Sequence, residues 1–388
     1  MATDHRLKPT ELSERLNEAA FAFRGYNQTN LGRTPELLAH RAFGGVVGRY
    51  LREASEICAE FIRRPVDLVA RVREKRESTL ETFGEDIGLI ISVEMAQIEL
   101  LEQYFGISYR HARVGMGYSL GEVTALISGG VFNLRDVLTP LLAMAEDSAE
   151  LARDVTMGIV FSRGKALNFE AVERLCLEIT TQGRGMIAIS SYLSPNTVLV
   201  LGQADTVDRL KERLATVMKE PVHVRKNNGA WPPLHTPLLW QRSVPNRAAL
   251  MMHSIGGGFR APTPPVLSLV TGKTSYNDFN SRAILNHWID QPQRLWDGIY
   301  ELLAMGIEVI VHVGPDPNLL PATFKRLSDN VTAELNGRSL RKLGMRAVSN
   351  IIGRPWVAKL LSNRAALLRT PFIVHVILED WLLDQATP

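Results

Sequence analysis

The chain has 388 residues, 45% of them hydrophobic and 22% charged, with a mean hydropathy of −0.02. That profile excludes a disordered, collagenous or coiled-coil protein and leaves length for one large core or two domains. A net charge of +3 does not point to nucleic acid, no apolar run reaches the roughly 18 residues of a membrane span, and the start is charged where a signal peptide would be apolar, so the expected location is the cytoplasm.

In chain order, residues 1–20 read as a polar helical lead, followed by a short apolar strand, Phe21-Ala22-Phe23, that runs through Arg24 into a turn at Gly25. Apolar periodicity predicts helices over 39–63 and 88–105. The brief apolar stretch Ala112–Gly117 reads as a buried parallel strand and leads through Tyr118-Ser119-Leu120 into a helix over 123–127. The middle of the chain alternates differently, with strands over 157–161, 185–190, 197–201 and 222–225 and helices over 169–179 and 206–217. That β-α-β-β-α-β order is the ferredoxin-like unit. A strand over 266–271, a helix over 292–305 and the strand Val309–Val313 return to α/β material. The expected fold is α/β: a large α/β-hydrolase-like domain formed by 1–155 and 229–330, a ferredoxin-like domain inserted as 156–228, and a basic C-terminal extension, 331–388. In the extension Arg338, Arg341, Lys342, Arg346, Arg354, Lys359, Arg364 and Arg369 face Glu334 alone between Val331 and Arg369. This is either a solvated face or a dock for an acidic partner. Cys58 and Cys176 have neither disulfide nor zinc spacing, so no metal site is expected.

Gly117-Tyr118-Ser119-Leu120-Gly121 matches G-x-S-x-G, in which a tight strand-to-helix turn exposes a serine hydroxyl. The Leu120 amide then lies at a helix N-terminus, where it can donate to a developing oxyanion. Serine needs a base to become a nucleophile. Of nine histidines, His5, His40, His111, His223, His253, His287, His312 and His375 read as surface or core residues, whereas His235 sits in the rigid loop Pro232-Pro233-Leu234-His235-Thr236-Pro237, where the chain leaves the insert. Clefts form at such junctions.

Over roughly residues 20–328 the sequence resembles the malonyl-CoA:acyl carrier protein transacylases and the acyltransferase domains of polyketide synthases. Ala22-Phe23-Arg24-Gly25 resembles the family's opening turn, Gly117–Glu122 its Gly-His-Ser-Leu-Gly-Glu elbow, Leu234–Pro237 its Phe-His-Ser-Pro, Pro265–Gly272 its late Asn-Val-Thr-Gly strand and Val313–Leu319 its Gly-Pro turn. The resemblance implies a cytoplasmic, monomeric acyltransferase of fatty acid or polyketide biosynthesis. It would bind no permanent cofactor and would use acyl-CoA and acyl carrier protein, with coenzyme A thioester and phosphopantetheine as substrates. It implies Ser119 as nucleophile, His235 as base, and Leu120 and Tyr26 as backbone oxyanion donors. A backbone carbonyl orients the histidine, and the Gly314–Asn318 turn, with Asn318, is the expected source.

The sequence also departs from the family. The arginine that holds a dicarboxylic acyl group there corresponds to Met144, no Lys or Arg occurs between Asp136 and Ala152, and the accompanying Gln is missing from Asp86–Val93. Met144, Tyr118 and Leu234 are the expected acyl-pocket residues, and the expected acyl group is neutral. Two other readings remain: hydrolysis of carrier-bound thioesters by the same Ser/His site, and a non-catalytic carrier-binding subunit. An ordinary esterase is disfavoured, since that class places an acid between Ser and His and lacks the insert.

Overall fold

The computed structural model describes residues 7–163, 166–218, 221–342 and 365–385. In chain order its strands are β1 (Ala19–Phe23), β2 (Val114–Gly117), β3 (Val155–Ser162), β4 (Ile187–Ser194), β5 (Thr197–Gln203), β6 (Val222–Ala230), β7 (Val266–Leu267), β8 (Val309–Val313) and β9 (Val374–Ile377). They form a five-stranded sheet, β7-β2-β1-β8-β9, parallel throughout, and a four-stranded antiparallel sheet, β4-β5-β3-β6.

The large sheet is buried on both faces, which is why its strands read as continuous apolar runs rather than alternating ones. In β1, Phe21 and Phe23 enter one core while Ala20 and Ala22 enter the other. The helices Gly44–Ile62 and Phe83–Phe105 pack on the phenylalanine side, and Leu295–Ala304 on the alanine side. Register aligns Phe23 with Gly117 on one side and with Val313 on the other. Three strands therefore end level, and the loops that follow them, from Arg24, Tyr118 and Gly314, emerge side by side where ligands of parallel sheets bind.

In the small sheet the strand order and two helices, Phe169–Thr181 and Thr206–Val217, match the ferredoxin-like arrangement expected from sequence. One face carries these helices over Val160, Val198 and Val200. The other turns Met157, Leu199 and Leu201 toward the large domain. The sheets meet where Ser191 of β4 bridges Gln293: the Tyr192 amide donates to the Gln293 carbonyl, and the Gln293 amide donates to the Ser190 carbonyl, each at 2.9 Å.

Several sequence expectations need correction. The lead is not merely polar, because Leu7, Leu12 and Leu16 enter the core. The strand expected over 266–271 stops at Leu267, since Ser268 turns back onto Lys273 through Gly272 at φ +73°. The chain beyond 330 is not a mere appendage: Leu319–Lys342 is one helix, carrying Arg338, Arg341 and Lys342 in its last turns, and β9 adds to β8 in parallel before a helix over Leu378–Asp384. Arg346, Arg354, Lys359 and Arg364 lie outside the described residues.

Candidate active site

Ser119 sits between β2 and the helix Leu120–Ser128 with φ +53° and ψ −121°, a conformation rarely adopted by a residue with a Cβ. The turn closes because Gly121 carries no side chain: a Cβ there would stand 2.3 Å from the Phe23 carbonyl oxygen. Glu122, buried in the same helix, fastens the elbow from below by accepting from the Leu269 amide at 3.0 Å and the Tyr276 hydroxyl at 2.6 Å. Burial pushes its carboxyl up to about 7.

His235 is brought to the serine by the loop after β6, also in a left-handed conformation, at φ +63°. Its Nε2 lies 2.7 Å from Ser119 Oγ, and its Nδ1 lies 2.6 Å from the carbonyl oxygen of Trp288. A carbonyl can only accept, so Nδ1 carries the proton and Nε2 presents its lone pair to the serine hydroxyl. Burial holds the imidazole down to about 4, which keeps it neutral and able to take a proton. The orienting carbonyl is thus supplied by the helix Ser281–Asp290 and not by the Gly314–Asn318 turn. That turn instead lines the cleft with Asn318, because β8 ends on the far side of β1 from the elbow.

Two residues missed in the sequence tie the pair together. Trp288 orients His235 with its carbonyl, stands edge-on to the imidazole at 4.9 Å, and donates its indole N–H to the Ser119 carbonyl at 3.0 Å. Gln293 accepts the Ser119 amide at 3.2 Å, and its side-chain nitrogen packs 3.3 Å from His235 Nδ1. The spacing of Ile284, Leu285, Trp288 and Ile289 would have shown Trp288 on a buried helix face; nothing local marks Gln293, whose place depends on the domain junction.

The elbow helix starts at Leu120, one residue beyond Ser119. The opening loop lies directly against the elbow: a Cβ on Gly25 would stand 2.6 Å from the Tyr118 carbonyl oxygen and 3.1 Å from Ser119 Cβ. Arg24 holds that loop, its guanidinium donating to the carbonyls of Gly25, Thr29 and Pro315 and to the side chain of Asn30.

Ser119 faces two cavities. One is small, about 30 Å³, and is walled by Tyr26, Phe83, Ile87, Leu141, Met144 and Trp288, with Leu234 at its edge. Met144 is buried at the break between the helices Leu134–Ala143 and Ala145–Ala152. The acids that follow it point outward, Asp147 to Arg247 at 2.5 Å and Glu150 to Arg242 at 2.8 Å. The second is a cleft of about 420 Å³ between the small sheet and the end of the large one, with Met157, Leu199, Leu201, Trp231, Asn227 and Asn318 among its walls. Tyr118, expected in the acyl pocket, belongs to this cleft, because the residue before the elbow serine faces the opposite side from Met144. Among the described residues no group of His, Cys, Asp and Glu could hold a metal ion, and no helix is long and apolar enough to cross a membrane.

No protein-family model matches the chain. It is 24% identical over 326 residues to the malonyl CoA-acyl carrier protein transacylase of Salmonella typhimurium, covering 82% of this chain and 95% of that relative. It is 24% identical over 307 residues to the spectinabilin polyketide synthase system protein NorB of Streptomyces orinoci, covering 77% of this chain and 13% of that much longer protein. The structure of FabD from Acinetobacter baumannii superposes with a TM-score of 0.63 at 18% identity, over 78% of this chain and 89% of that one. The chain has the transacylase fold. The acyltransferase domain from the second module of the salinomycin polyketide synthase shares it, with a TM-score of 0.59 at 21% identity over 79% of this chain and 65% of that one.

Proposed function

We propose that this protein is a serine acyltransferase that moves a short, neutral acyl group from a coenzyme A or carrier-protein thioester to the phosphopantetheine thiol of an acyl carrier protein. The observation that carries this reading is the Ser119–His235–Trp288 relay opening on both a small apolar pocket and a larger cleft. As Ser119 Oγ attacks the thioester carbonyl, its proton passes to His235 Nε2, and the amides of Leu120 and Tyr26 receive the oxyanion. The C–S bond then breaks and the leaving thiolate takes the proton from His235. In the second half, the acceptor thiol gives its proton to His235, its sulfur attacks the serine ester, and the C–O bond breaks as His235 returns that proton to Ser119 Oγ, restoring both residues.

A neutral acyl group is supported by the pocket wall, which has no Lys or Arg on it. Arg71, buried in the large domain, is already paired with Asp86 and Glu85. Losing a charge-assisted carboxylate contact disfavours a dicarboxylic acyl group by about 1.5–3 kcal/mol, roughly 10–150-fold. A short chain is supported by the volume, since one water needs about 10–15 Å³ on this measure. The test is intact-mass detection of acyl-Ser119 over a panel of acyl-CoAs, with and without carrier protein. Acetyl or propionyl labelling that passes to carrier protein is expected. Preferential malonyl labelling would overturn the neutral assignment and direct attention to Arg71, and acyl release to water at the same rate with or without carrier protein would make the protein a hydrolase.

A further inference from the structure

The helix Leu378–Asp384 packs against the loops that flank Ser119. From the helix Leu378–Asp384, Glu379 enters the core with 4% of its surface exposed. One carboxylate oxygen accepts the Arg33 amide and the other the Asp316 amide, both at 2.8 Å. Arg33 ends the opening loop that carries Tyr26, and Asp316 belongs to the turn after β8. The loop and the turn are also joined by Thr29 Oγ1, which donates to Asp316 at 3.0 Å, and by Arg24, which donates to the Pro315 carbonyl.

Around this junction the chain is built to admit the carboxylate. Gly32 has φ +48°, and a Cβ there would stand 2.6 Å from Glu379 Oε2 and 2.4 Å from the Asp316 amide nitrogen. The helix itself is anchored by β9 pairing with β8, by Arg33 to Asp380 at 3.0 Å, and by the Trp381 indole donating to the Leu7 carbonyl at 2.7 Å. The carboxylate and the Arg24 guanidinium thus hold the opening loop against the turn after β8, the acid taking one amide from each and the base taking the Gly25 and Thr29 carbonyls of the loop and the Pro315 carbonyl of the turn.

The geometry points to Glu379 as a positioning residue for acyl transfer: through it, the C-terminal strand and helix fix the opening loop so that the Tyr26 amide meets the developing oxyanion. This rests on the proposed role of that amide. Preorganised donors are effective because they need not reorganise during the reaction, so a loop free to shift by about 1 Å loses much of the effect.

The experiment measures Ser119 acylation kinetics and amide hydrogen exchange in Glu379→Ala, Glu379→Gln and Gly32→Ala. Gln keeps the shape but turns an amino group toward one of the two amides; Ala at position 32 keeps the carboxylate but pushes it aside. Each variant is expected to lose roughly 10–100-fold in kcat with KM within about threefold, and to exchange faster at 25–33 and 314–318 than at 117–122. A folded variant with kcat within twofold of the unmodified protein, or with exchange raised evenly across the large sheet, would overturn the proposal. An unmodified protein that never acylates Ser119 would instead overturn the functional reading beneath it, whatever the variants do.

Discussion

The two cavities that meet at Ser119 differ in size and in the polarity of their walls. The pocket lined by Met144 is small and apolar, while the cleft beside the small sheet is much larger and mixes Asn27, Gln28, Asn227 and Asn318 with aliphatic side chains. In the proposed transfer, the group that stays on Ser119 through both half-reactions needs one fixed seat. The thiol that departs and the thiol that arrives need a shared channel. A site with one tight side and one roomy side is suited to exchanging leaving groups around a constant acyl group.

The most direct way to break this picture is at the point the cavities share. Ser119→Ala should abolish the acyl-enzyme in an intact-mass assay while circular dichroism stays unchanged, and His235→Ala should slow acylation at least about 100-fold. The buried imidazole also sets a pH signature. Its folded-state pKa of about 4 lies below the ordinary value of about 6.5, so it keeps its base form on acidification until the pH approaches 4. The His235-dependent limb of the acylation rate should therefore fall near pH 4, and a limb near 6.5 that vanishes in His235→Ala would contradict this.

On the pocket side, Met144→Arg should shift preference from acetyl toward malonyl by roughly 10–150-fold, the worth of one charge-assisted carboxylate contact, while leaving the KM for acceptor carrier protein alone. On the cleft side the expected effects are smaller. The indole nitrogen of Trp231 is buried there without a hydrogen-bond partner among the described residues, and a pantetheine carbonyl could accept from it. Trp231→Phe should raise KM for pantetheine-length thioesters about 2–10-fold, one hydrogen bond's worth, without altering acyl preference. Least of all, reversing Arg338, Arg341 and Lys342 to Glu should raise KM for carrier protein a few-fold and flatten its salt dependence, with no change for a small thioester. An equal response of both substrates would make that helix end structural.

The sequence was most legible where chemistry is local. The strand–turn–helix around Ser119 is specified by neighbours within a few residues, by Gly121 and by the apolar runs on either side, and the β-α-β-β-α-β rhythm between 155 and 230 follows from side-chain periodicity alone. His235 could be chosen because the prolines around it mark a stiff junction. The C-terminal strand Val374–Ile377 was invisible for the opposite reason: four residues, three of them half-buried, have no pattern of their own, and only the open edge of β8 makes them a strand.

What the sequence determined by itself was the turn at Ser119, the β-α-β-β-α-β order of the small sheet's segment and the absence of Lys and Arg from the segment holding Met144. What only the tertiary structure decided was which distant groups converge on Ser119. Trp288 and Gln293 lie 169 and 174 residues along the chain from Ser119, Glu379 lies 346 residues from Arg33, and although apolar spacing marks Trp288 as buried, no local pattern marks the role of any of the three, because a backbone carbonyl or a buried carboxylate acquires its role from the partner that packing brings to it.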